Sequence, residues 1–157
     1  MRIEYCDETN MLYIFKADMP MSVNKAYVNI KGRRALSKEG KIYKNSVTTG
    51  LAKQLSLCTQ VFEKLVIPNT PLQMELRLFF AAVENKGYPN KAKTRYKRMD
   101  VSNRVKLIED AIFDALGVDD SAIFSLTITK QNRPEGSTSD FCDIILSRWD
   151  DGGVQTR

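Results

Sequence analysis

Between positions 72 and 80 every second residue is large and apolar. Leu72, Met74, Leu76, Leu78 and Phe80 alternate with Gln73, Glu75 and Arg77. Side chains of an extended strand point alternately to two faces, so this segment reads as a half-buried strand that needs a cover on one side. Two segments of helical period supply that cover. After Ser37, an N-cap residue type, Tyr43, Val47, Leu51, Leu55, Cys58, Phe62 and Leu65 recur every three or four residues. Gly50 weakens this run without breaking it, and Pro68 and Pro71 end the section. A second helix is expected over about 102–116, stopped by Gly117, with Val105, Ile108, Ala111, Ile112, Ala115 and Leu116 on its apolar face. Residues 11–17, 123–129 and 142–146 read as further strands. Residues 18–23, 24–36, 84–99 and 131–140 read as irregular, the second and third of them basic. The order β, α, β, α, β, β predicts an α+β domain, a small mixed sheet with two main helices on one face.

At 157 residues the chain suits a single domain, with short extensions at about 1–10 and 149–157. No apolar run approaches the ~20 residues of a membrane span, and the acidic start lacks the form of a signal peptide. Three scattered cysteines have no metal-ligand spacing, and their odd number argues against a disulfide framework, so a cytoplasmic location is expected. A net charge of +5 admits an anionic partner without naming one. The absence of histidine excludes more: Ser–His and Cys–His catalysis, and nucleases or hydrolases that bind metal through histidine.

The charges are unevenly placed. Residues 86–99 hold six Lys or Arg and no acid, and the next 21 residues hold six acids and two bases. A basic strip can grip a phosphate backbone, whereas clustered carboxylates repel one unless a divalent cation lies between them. On the second helix Asn103, Lys106, Asp110 and Asp114 form a stripe opposite the apolar face. Alone, that stripe reads rather as a solvated face with a Lys106–Asp110 pair worth ~0.3–0.5 kcal/mol. Asp100 precedes the helix, and Asp119-Asp120 follow its stop. A helix of ~15 residues is ~22 Å long, so these groups meet only if the chain turns back after Gly117 or if Asp119-Asp120 begins a strand running alongside the helix. If they meet, hard oxygen donors suit magnesium or manganese.

With these residues in place, the chain resembles the RusA-type Holliday-junction resolvases. Their signature is Asp-x-Asp-Asn-x-x-Lys entering a helix, an Asp four residues on, then an Asp-Asp pair. Here it is carried by Asp100, Asn103, Lys106, Asp110 and Asp119-Asp120. A second block, Pro20-Met-Ser22-Val-Asn24, Tyr27, Gly32-Arg33, Ser37, Glu39-Gly40 and Tyr43, is similar to the family's N-terminal segment. The resemblance spans about residues 12–148. It implies a homodimeric, magnesium-dependent endonuclease of recombination and repair, from phage or prophage, that resolves four-way DNA by paired symmetric nicks. It implies catalytic roles for Asp100, Lys106 and Asp120, a metal shell of Asp100, Asp119 and Asp120, and supporting roles for Ser102, Asn103 and Asp110. Lys25, Lys31, Arg33, Arg34, Lys91, Lys93, Arg95, Lys97 and Arg98 would contact phosphates. Ser102 departs from the pattern, standing where the family has its second aspartate. It is expected to cap the helix or hold a metal-bound water, and it leaves open a weakened or inactive branched-DNA-binding protein of the same fold.

Overall fold

The computed structural model describes residues 1–150. Five strands form one mixed sheet in the order β1 (Arg2–Cys6), β2 (Met11–Asp18), β7 (Phe141–Arg148), β5 (Leu72–Phe80), β6 (Ile123–Asn132). Only the β5–β6 pair is parallel, which requires a long crossover between them. That crossover holds the basic loop, which follows the end of β5, and helix α3 (Val105–Leu116), which returns the chain to the start of β6 beside the start of β5. The alternation of burial in β5 holds throughout: Leu72, Met74, Leu76, Leu78 and Phe80 are buried, while Gln73, Glu75, Arg77 and Phe79 lie half-buried on the other face.

Helix α2 (Lys38–Leu55) and α3 cover the buried face. Thr48 Oγ1 donates to the Ala111 carbonyl at 3.0 Å and Lys44 pairs with Asp114 at 2.7 Å, tying the two helices together. Leu51, Leu107, Ile108 and Ile112 are fully buried between helices and sheet. Each contributes about 1.5–3 kcal/mol by leaving water.

Three expectations are corrected. Residues 2–6, expected to be part of an extension, form an edge strand paired along its length with β2. The other extension, from 149 on, falls mostly on residues 151–157, outside the described residues. Second, the helical run does not continue from 38 to 65. It stops at Ser56, and Val61–Leu65 makes a separate wide turn that buries Val61 and Leu65 and leaves Phe62 exposed. Third, 24–36 is ordered. A one-turn helix α1 (Val23–Ala26) leads into a hairpin of β3 (Tyr27–Ile30) and β4 (Arg33–Leu36) around Lys31-Gly32, both at positive φ.

The hairpin is clamped to the start of α2. Ser37 caps the helix by accepting from Gly40 N at 3.0 Å, and its hydroxyl donates to the Lys25 carbonyl at 2.9 Å. Gly40 is required there, because a Cβ would sit 2.4 Å from the Ala26 carbonyl oxygen. The fold thus presents a basic hairpin at a fixed height over α3.

Candidate active site

Helix α3 is preceded by one tight turn, Ser102–Arg104. The Asp100 carboxylate organises that turn. It accepts from Ser102 Oγ at 2.7 Å, from Asn103 Nδ2 at 2.5 Å and from the Asn103 backbone N–H at 3.4 Å. These bonds, the Ser102 hydroxyl first, hold Asp100 below the usual carboxylate range. Ser102 does not cap the helix: no backbone N–H of the turn or of α3 bonds to its oxygen, and its hydroxyl donates to Asp100.

At the other end Gly117 takes the left-handed conformation (φ 69°) and returns the Val118 N–H to the Phe113 carbonyl at 3.2 Å. The chain then reverses. Asp119 caps the following short turn, Asp120–Ala122, by accepting from Ser121 N at 2.9 Å; the Ser121 hydroxyl first and this N–H second hold its carboxyl below the usual range. The reversal delivers Asp120 to Lys106, with which it forms a hydrogen-bonded ion pair. Lys106 also pairs with Asp110, one turn on, at 2.8 Å. Asp110 first and Asp120 second keep the ammonium above the usual lysine range.

The second sequence block meets the first here, across more than 80 residues. Tyr27 Oη donates to Asp110 Oδ2 at 3.0 Å. Arg104 donates to the Pro20 carbonyl while its guanidinium lies over the Phe80 ring, 5.5 Å from the centroid. Asp110 is thus held by Tyr27 through one oxygen and by Lys106 through the other. Asp114, in line with these residues on the sequence, turns instead to Lys44. Two contributors do not stand out from the sequence pattern. Tyr27 is visible there only as part of a block, not as Asp110's partner. Glu109, half-buried, feels both Lys106 and Asp120, and burial raises its pKa; its place three residues after Lys106 is the available signal.

The expected DNA-contacting residues are exposed. Lys25 lies in α1, Lys31 is in the hairpin turn, and Arg33 and Arg34 lie on β4. Lys91, Lys93, Arg95, Lys97 and Arg98 belong to the loop before Asp100. Arg95 is partly engaged, pairing with Glu84 at 3.1 Å and lying over the Tyr96 ring.

Among the described residues no three His, Cys, Asp or Glu are gathered into a group able to hold a metal ion. No hydrogen bond or ion pair joins Asp100 directly to Asp120 among them. Asp110 and Asp120 are the carboxylates at Lys106, and Asp100 precedes the same helix. Hard oxygen donors of this kind do not make an all-protein cage and would suit a divalent cation that keeps waters and shares its shell with substrate phosphate.

A family model for endodeoxyribonuclease RusA matches residues 18–138, most of the chain. The chain belongs to the RusA endodeoxyribonuclease family. A comparison with curated proteins gave no match. The RusA match begins at the end of β2 and takes in the hairpin, both main helices, the basic loop and β6, so every residue of the site lies inside it. No helix among the described residues is long and apolar enough to cross a membrane.

Proposed function

We propose that this chain is a magnesium-dependent, structure-specific endodeoxyribonuclease. As a homodimer it resolves four-way DNA junctions by paired symmetric nicks in recombination and repair, in the cytoplasm of a bacterial or phage-infected cell. The observation that carries this reading is the ion pair between Lys106 and Asp120, which brings an acid from beyond the end of α3 to the lysine that already holds Asp110. Family membership supports the reaction class, and the basic hairpin and loop support a nucleic-acid partner.

In this reading Lys106 stabilises charge on the reacting phosphate. An ammonium has three donors; Asp110 and Asp120 occupy two, and the third is left for a phosphoryl oxygen. Asp100, Asp119 and Asp120 hold the cation together with that phosphate, with manganese as a substitute for magnesium. The bound ion supplies polarisation of the phosphate and a lowered pKa for the attacking water. Ser102 and Asn103 fix the orientation of Asp100. The exposed lysines and arginines contact backbone phosphates and so select shape rather than base sequence. Two sites related by a two-fold axis suit a junction whose two cut strands are themselves so related.

The decisive experiment incubates the purified chain with a synthetic four-way junction and Mg2+. Two nicks at symmetric positions are expected, with flap and linear duplex DNA cut far less. No cutting at any concentration of Mg2+ or Mn2+ sinks the proposal. Ser102 favours a second reading, a branched-DNA-binding protein whose nuclease activity is weakened or lost. Here junction binding persists with no products, and restoring the acid by Ser102→Asp creates cutting that the native chain lacks.

A further inference from the structure

A surface pocket of about 380 Å³ lies at the base of the hairpin, lined by Val23, Asn24, Tyr27, Asn29 and Arg34. Its lining contains no carboxylate. Arg34 faces Asn29 across the hairpin and lies diagonally over the ring of Tyr27, with Cζ 4.6 Å from the centroid. Stacking uses the face of a guanidinium and leaves its N–H edge free, the edge that pairs with phosphate oxygens in the plane. Asn24 and Asn29 are exposed, and their amides make no hydrogen bond to the described residues. Lys25, Lys31 and Arg33 surround the same hairpin. A pocket of one guanidinium edge and two amides, among further cations, has the chemistry of a phosphate seat.

What distinguishes this pocket from the other basic surface is its floor. The ring of Tyr27 carries Arg34 above, and its hydroxyl is bonded to Asp110, whose other oxygen holds Lys106, which in turn holds Asp120. We propose that the pocket seats a DNA backbone phosphate, and that Tyr27 is a positioning residue coupling this contact to the placement of Lys106. The inference rests on the nuclease reading and deepens it by naming where the enzyme senses that DNA is in place. A phosphate held by Arg34 keeps the guanidinium flat on the ring. The ring then fixes the hydroxyl, the hydroxyl fixes Asp110, and Lys106 stays pointed at Asp120. Without DNA the guanidinium of Arg34 rests on the Tyr27 ring alone, while Tyr27 keeps its bond to Asp110.

The test separates this coupling from plain DNA binding and from the nuclease reading itself. Tyr27→Phe keeps the ring and removes the hydroxyl; Arg34→Lys keeps the charge and removes the plane. Each should lower kcat about tenfold while junction affinity, measured without divalent cation, changes less than about threefold. The double variant should be no worse than either single, because both break one series of linked groups. The second readout needs no cutting. In protein labelled with 13C at lysine Cε, the Lys106 signal, assigned through Lys106→Arg, should shift when junction DNA is added in EDTA. That shift should be absent in Tyr27→Phe and Arg34→Lys, and absent from the native chain with inorganic phosphate at equal phosphate concentration. An equal response to inorganic phosphate assigns the pocket to the free ion and overturns the proposal. So does native kcat in Tyr27→Phe, or a DNA-induced shift that survives both substitutions. If the native chain cuts nothing yet shows the Tyr27-dependent shift, the nuclease reading falls and the coupling stands.

Discussion

Lys106 and Asp120, fourteen residues apart with a helix stop between them, form a hydrogen-bonded ion pair. Lys106 is in the first turn of α3, and Asp120 lies beyond its end, so the pair exists only because the chain doubles back after Gly117. One exposed ion pair is worth little to stability. Its value is positional: it sets a positive charge among carboxylates beside a basic surface.

Removing either partner should therefore damage catalysis far more than folding. Asp120→Asn and Lys106→Ala are each expected to lower junction cutting by about 10²–10³-fold. Binding in EDTA and the unfolding midpoint should stay near native values. Asp100→Asn should behave like Asp120→Asn. Cleavage assays beside gel-shift titrations check this, and native-level cutting by either asparagine variant refutes the site.

Ser102→Asp places a second acid beside Asp100, where Ser102 Oγ now donates to that carboxylate. The substitution trades a hydrogen bond for a like-charge repulsion, so without divalent cation the variant should unfold at a lower temperature. A divalent cation should reverse the deficit, and the Mg2+ concentration for half-maximal cutting should fall about tenfold. Thermal melts with and without Mg2+ read the first effect; a cation titration of cutting reads the second.

The elements of this site are legible in the sequence to very different degrees. The period of 72–80 and the apolar face of α3 are local patterns, and the stop at Gly117 is written in one residue, so these are readable directly. That Asp120, beyond the end of α3, reaches Lys106 in its first turn is conditional on a reversal, which depends on the parallel β5–β6 pairing that periodicity does not encode. The hairpin reads as irregular because Tyr27–Leu36 has no clean alternation. Its order comes from clamping by Ser37 and Gly40, through groups distant in the chain. Strand β1 carries a short alternation of its own, Ile3 and Tyr5 between Arg2, Glu4 and Cys6, but five residues are too few to mark a strand without the pairing with β2. The helical spacing of 58–65 misleads because it continues past a break at Ser56 that no Gly or Pro announces.

Gly117 tests the reversal directly. At φ 69° a side chain is strained, and a Cβ there meets nothing within 4 Å, so the cost of Gly117→Ala is backbone conformation alone. It should destabilise the chain by about 1 kcal/mol, or roughly 2–4 °C in Tm. Because Asp119 and Asp120 follow within three residues, cutting should fall by more than the reduced stability explains. Melting curves and cleavage at a temperature where the variant is fully folded separate the two effects.

The loop before Asp100 should govern affinity and not chemistry. Replacing Lys91, Lys93 and Lys97 by Ala should weaken junction binding and flatten the dependence of log K on log salt by about 0.9 for each phosphate no longer neutralised. The effect should be the same for junctions of unrelated sequence, because groups that touch only phosphate carry no base information. Once DNA is saturating, kcat should be close to native. A salt slope unchanged by all three substitutions removes this loop from the interface.

Glu109 gives a pH prediction of known sign. Burial raises its pKa, so the folded chain holds this proton more tightly than the unfolded chain does. Stability attributable to the group is therefore lost as pH rises from the unfolded glutamate pKa through the raised folded one, and the full penalty stands at neutral pH. Below the ordinary glutamate range both states are protonated and the penalty vanishes. Glu109→Gln should accordingly raise Tm at pH 7 and make no difference near pH 3. Lys106 opposes the shift and the charges of Asp120 and Asp110 reinforce it, so the gain should be smaller in an Asp120→Asn background. A Tm for Glu109→Gln below native at pH 7 would mean that its charge is needed beside Lys106, contrary to the dominance of burial.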